Sequence, residues 1–74
     1  MPDKKLIADR LRKLRGDRPR EVVAIACGVS ATAISNYENA IRVPSDVVKM
    51  SLAKYYGQSV EDIFFTDEVH EKGT

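Results

Sequence analysis

Thr32, Ser35, Asn36 and Asn39 recur at i, i+3, i+4 and i+7, the spacing that lines one face of an α-helix. All four carry short hydrogen-bonding side chains and none is charged. A solvated helix face ordinarily carries Lys and Glu. A face of Thr, Ser and Asn instead offers neutral donors and acceptors at fixed positions, which suits the reading of another polar surface. The edges of base pairs in a DNA major groove are the leading candidate. Asn36 is the best single residue for base discrimination, because an amide can pair bidentately with adenine. Catalysis finds little material: one His, one Cys and no Trp give no nucleophile–base pair and no metal-ligand spacing. The expectation is a non-enzymatic protein without metal or cofactor.

The elements that must present this face follow from capping and periodicity. Ser30 caps a helix of about Ala31 to Glu38, held down by Ala33, Ile34 and Tyr37. The three residues Gly28-Val29-Ser30 join it to a preceding helix, forcing a steep crossing of the kind found in a helix-turn-helix. That preceding helix is expected at about Pro19 to Cys27. Asp17 supplies its capping side chain, Pro19 its first turn, and Val22, Val23, Ala26 and Cys27 its mostly buried side. Ala24 is small where the next helix approaches, and Val29 plugs the turn.

A first helix runs from a cap at Asp3 to about Arg15, with Ile7, Leu11 and Leu14 on one stripe and Leu6 beside it; Gly16 ends it. After the loop Asn39 to Pro44, Ser45 caps a fourth helix bearing Val48, Leu52 and Tyr56, ended by Gly57. Ser59 opens a short fifth helix, Val60 to about Phe65, with Asp62 in a box-like cap arrangement. The fold class expected is all-α, a five-helix bundle over residues 1–65, followed by a polar, flexible tail over 66–74 in which His70 is incidental.

Seventy-four residues support one small domain. A lone cysteine excludes an internal disulfide, and Cys27 stands where a small apolar side chain is wanted. No apolar run approaches a membrane span, so no membrane association and a cytoplasmic location are expected. The formal net charge is only +1, but it is lopsided. Residues 1–20 hold eight basic and three acidic side chains; the remaining 54 hold four basic and eight acidic. A local basic surface is enough to attract an anionic partner. Charge alone leaves open whether the first helix lies near phosphate or is a solvated face.

Residues 6–65, about four fifths of the chain, resemble the Cro and lambda-repressor type of helix-turn-helix domain, also called the xenobiotic-response-element family. The resemblance is carried by SNYENAIRVPS (Ser35 to Ser45), by GVS before the third helix, by Leu14-Arg15, and by Gly57 with Val60, Ile63 and Phe64. It implies that the third helix is a recognition helix with Ala31, Thr32, Ser35 and Asn36 near base edges. It places Arg20, Ser30, Asn39 and Arg42 at phosphates and implies a structural ion pair between Arg15 and Glu38.

The chain departs from the family pattern at four residues and in the connection between the first two helices, which is about two residues shorter than is typical. Pro19 replaces a Ser or Thr cap, and Arg20 replaces a phosphate-binding Gln. Ala40 replaces a glycine, and Ile41 stands where a Lys is common. If Ala40 has positive φ, strain of about 1 kcal/mol is expected; Asn39 is the alternative residue for that conformation. Ile63, Phe64 and Phe65 cannot all face one small core, and the resemblance implies dimerisation through this end. The function it implies is that of a sequence-specific DNA-binding transcriptional regulator, a repressor acting as a homodimer on an inverted repeat, with no small-molecule ligand evident. The alternative is a protein-interaction module, an antitoxin-like or accessory subunit that binds its partner through the apolar C-terminal end.

Overall fold

In the computed structural model, which describes residues 3–65, the Asp3 carboxylate accepts the Lys5 N–H at 2.9 Å and opens helix α1, Lys4–Arg15. The last turn of α1 carries Arg12, Lys13 and Arg15, cations that suit the negative end of the helix dipole. Helix α2, Arg20–Cys27, and helix α3, Ala31–Glu38, follow, then α4, Asp46–Tyr56. A single wide π-type turn, Glu61–Phe65, forms the fifth helix, α5. No strand occurs among the described residues, and no helix there is long and apolar enough to cross a membrane. The tail from Thr66, with His70, lies outside the described residues.

Serines set three of the starts. Ser30 Oγ accepts the Ala33 N–H at 3.0 Å, Ser45 Oγ that of Val48 at 3.4 Å, and Ser59 Oγ that of Asp62 at 3.0 Å. The start of α2 differs from the expectation. Pro19 itself occupies the N-cap, with φ −62° and ψ 144°, and no side chain caps the helix. The helix therefore begins one residue later, at Arg20.

The core gathers Ile7 and Leu11 of α1, Val23, Ala24 and Cys27 of α2, Ile34 and Tyr37 of α3, Leu52 and Ala53 of α4, and Ile63 and Phe64 of α5. The buried side of α2 also differs from expectation. Val23, Ala24 and Cys27 are inside, whereas Val22 is 48% exposed and Ala26 faces solvent. An eight-residue helix buries one stripe. The line Arg20, Val23, Ala24, Cys27 at i, i+3, i+4 and i+7 is that stripe. Arg20 thus starts on the inner side of α2.

The exit from α3 settles the alternative at its end. Asn39 has φ −107°, and Ala40 takes the left-handed conformation with φ 60°. The Ala40 N–H donates to Tyr37 O at 3.4 Å and the Ile41 N–H to Asn36 O at 2.9 Å, the paired bonds of a Schellman cap. The cap needs positive φ at this residue, where alanine is strained. Ala40→Gly should therefore stabilise the domain by about 1 kcal/mol, read as a higher urea midpoint at unchanged slope.

Candidate nucleic-acid interface

Helix α3 is fastened by Ile34, Tyr37 and Glu38, which are buried, so its other side is turned outward. Thr32 is exposed there, Ser35 and Asn36 are half-buried, and Asn39 is exposed just past the helix. The Asn39 Nδ2 donates to Ser35 Oγ at 3.1 Å and to Ser35 O at 2.9 Å. This fixes one lone pair of the Ser35 hydroxyl and leaves its O–H able to donate outward. The side chains of Thr32 and Asn36 have no hydrogen-bond partner among the described residues. A helix face with two unengaged polar side chains and a third oriented by its neighbour is equipped to bond to something outside the molecule. Ala31, also half-buried, packs partly against the core.

Of the residues that the family resemblance puts at phosphates, Ser30 and Asn39 cap the two ends of α3 and Arg42 follows in the loop. Ser30 Oγ accepts from Ala33 N–H as a cap, so its own O–H remains available to an anion. Arg42 is exposed in the loop, where its backbone N–H is tied to Asn36 O at 3.2 Å. Arg20 is engaged in a way the sequence reading missed: its Nε donates to Glu38 Oε1 at 3.1 Å. Ile41 is 64% exposed beside this loop.

Glu38 is the centre of the scaffold beneath α3. Its side chain is 1% exposed; Arg15 Nε meets Oε2 at 2.7 Å and Arg15 Nη2 meets Oε1 at 3.1 Å. Arg12 Nη1 donates to the Glu38 backbone carbonyl. One buried carboxylate thus joins α1, α2 and the last turn of α3. The hydrogen bonds that Arg15 donates to Glu38 hold the Arg15 pKa above its ordinary value. Tyr56 packs nearby, and burial, then the charge of Glu38, pushes its phenol up to about 12.

A raised phenol pKa means that the folded state resists ionisation. That contribution is intact below about pH 10 and is lost as pH rises towards about 12. Stability should decline across that window, and Tyr56→Phe should remove the part of the decline that follows the Tyr56 ultraviolet titration.

The basic first helix is also resolved. Arg10 Nη1 donates to Ile63 O at 3.0 Å, and Arg15 Nη1 to Arg18 O at 2.8 Å. Arg18 donates to Leu14 O at 2.9 Å and lies over the rings of Tyr55 and Tyr56. The arginines of this segment are fasteners between elements rather than a free basic surface. Lys4, Lys5 and Lys13 remain exposed, Lys13 beside Asp9 at 3.2 Å.

The proposed dimer surface needs correction. Ile63 and Phe64 are 2% and 1% exposed and belong to the chain's own core, because the π-type turn points both inward. Phe65 alone of the three is exposed, at 52%, with the Lys49 ammonium 4.7 Å above its ring. Cys27 is buried, which pushes its thiol pKa up and leaves it a poor nucleophile. No group of His, Cys, Asp and Glu among the described residues is placed to hold a metal ion.

Comparison with known proteins fits this geometry. A family model described as a helix-turn-helix domain matches residues 6–63. The solution structure of the SOS-response transcriptional repressor LexA from Eubacterium rectale superposes with a TM-score of 0.81. The two are 16% identical over 96% of this chain and 78% of that one, a likeness of fold. No curated protein sequence matches.

Proposed function

Because the chain belongs to the helix-turn-helix domain family, of the Cro and lambda-repressor type, we propose that it is a cytoplasmic, sequence-specific DNA-binding transcriptional regulator. It acts as a repressor, by occupying its operator. Residues 1–65 form the DNA-binding domain. The observation that carries the reading is the outward face of α3, where Thr32 and Asn36 hold unengaged hydrogen-bonding groups on a helix anchored from behind. Ala31, Thr32, Ser35 and Asn36 meet base edges, and Arg20, Ser30, Asn39 and Arg42 meet phosphates. Two copies related by a two-fold axis place their α3 helices in successive major grooves, about 34 Å apart, on an inverted repeat. Phe65 supports the contact between the copies.

Salt dependence of binding to a duplex tests the proposal. Arg20 and Arg42 from two protomers neutralise four phosphates, which sets a slope of about −3.6 in log affinity against log salt. Affinity for every duplex that is absent at low salt, or indifferent to salt, would contradict it.

A second reading draws on the exposed apolar side chains of α4. Val47 and Met50 are 74% and 64% exposed and line an open groove with Val60. A protein-interaction module would use this side and Phe65. Phe65→Ser should then abolish partner binding while Arg20→Ala leaves it intact.

A further inference from the structure

The two guanidinium groups on Glu38 are held differently. Arg15 faces the carboxylate with both Nε and Nη2 and spends Nη1 on the Arg18 carbonyl; its side chain is 18% exposed. Arg20 contributes only Nε, and its side chain is 39% exposed. Its Nη1 and Nη2 have no partner among the described residues. One carboxylate with two guanidinium groups leaves one positive charge in excess, and the unpartnered Nη pair of Arg20 is its open end.

We propose that Glu38 is a positioning residue for Arg20: by taking Nε, it fixes the guanidinium plane and leaves Nη1 and Nη2 side by side for two oxygens of one DNA phosphate. This rests on the DNA-binding reading above. A guanidinium is a planar fork with two usable edges, so one edge can be anchored while the other grips an anion. An arginine already held by one edge has less rotamer freedom left to lose on binding. Glu38 is itself rigid, being buried at the last turn of α3 with its carbonyl tied to Arg12. Since Arg20 is the first residue of α2, the same carboxylate sets the phosphate grip of α2 in register with the reading face of α3. A lysine cannot do both tasks, because its ammonium is a single point charge.

The test compares wild type, Arg20→Ala and Arg20→Lys by fluorescence anisotropy on a duplex that the wild type binds. Nitrogen-detected NMR follows the Arg20 Nε–H of the wild type during the same titration. Both variants retain the Arg15–Glu38 pair, and thermal unfolding checks that they fold. The expected result is that both bind about tenfold more weakly than wild type and within about twofold of each other. The Nε–H signal should keep its position when DNA is added. Arg20→Lys binding closer to wild type than to Arg20→Ala would overturn the proposal, since an undirected charge would then suffice. A large displacement of the Nε–H signal on binding would also overturn it, because the guanidinium would have left Glu38. Failure of the wild type to bind any duplex would overturn the DNA reading as well, and it shows before Arg20 is altered.

Discussion

Glu38→Ala should lower the unfolding free energy by about 3 kcal/mol, measured by urea denaturation at neutral pH. Removing one partner of a buried ion pair costs about 3–5 kcal/mol, because the remaining charge is stranded. Here the stranded groups are Arg15 and Arg20, with side chains 18% and 39% exposed, so water partly reaches them and the lower end of the range applies. Arg15→Ala should be at least as damaging. It leaves a carboxylate that is 1% exposed with a single bond to a half-exposed guanidinium. The double variant should lose less than the sum of the two, since each single change strands what the other would remove. Small domains have total stabilities of about 5 kcal/mol, so either single variant should keep only about 2 kcal/mol and unfold at a clearly lower temperature than wild type. Additive losses in the double variant would show that the cluster does not act as a unit.

The largest expected effect on binding is at Asn36. Its side chain sits on the outward face of α3 without an internal partner, so truncation removes nothing that holds the fold. Asn36→Ala should leave the urea midpoint within about 0.5 kcal/mol of wild type. It should reduce affinity for the preferred sequence by about 1–3 kcal/mol and flatten preference at one base position of each half-site. The salt slope should not change, because an amide–base pairing releases no counterion. This separates Asn36 from Arg20, whose truncation should weaken binding to all sequences alike and reduce the slope by about 0.9 for each phosphate that is no longer neutralised. A uniform loss across sequences at Asn36 would mean that the residue sits elsewhere than against a base.

The order of helices and the reading face of α3 are legible in the sequence because each carries its own local chemistry. Ser30, Ser45 and Ser59 cap the helices they precede, and Gly16, Gly28 and Gly57 take positive φ where helices end. The face of Thr32, Ser35, Asn36 and Asn39 is a matter of spacing within one helix, and needs no tertiary information. The start of α2 is less legible, since a proline is acceptable both at the N-cap and in the first turn. Hydrophobicity suggests Val22 and Ala26 for its inner side, whereas the stripe running from Arg20 through Val23 and Ala24 to Cys27 is the one buried.

That stripe contains the signal for Arg20. A charged residue in phase with a buried line points to an internal partner. Glu38 likewise follows Ile34 by four residues on the inner side of α3, so its burial is also periodic. What periodicity cannot supply is that these two side chains meet across 18 residues of sequence. The same limit applies at α5, where the run Ile63-Phe64-Phe65 shows that one ring must be left outside but not which. A π-type turn turns Ile63 and Phe64 inward together and leaves Phe65 on the surface. The arginines of α1 and of the turn after it are the clearest case. Composition makes them look like a basic surface, and only the packed structure shows Arg10, Arg12, Arg15 and Arg18 bonded to carbonyls and to Glu38.

The central claim is that the uncharged outer face of α3 reads DNA sequence. It is tested most directly by selecting bound duplexes from a random pool at low salt, with wild type and Asn36→Ala run side by side. The account predicts that the wild type enriches an inverted repeat with half-sites one helical turn apart, and that Asn36→Ala enriches the same repeat with one position in each half-site relaxed. A wild-type pool that stays random, or a repeat that Asn36→Ala leaves unaltered at every position, would contradict it.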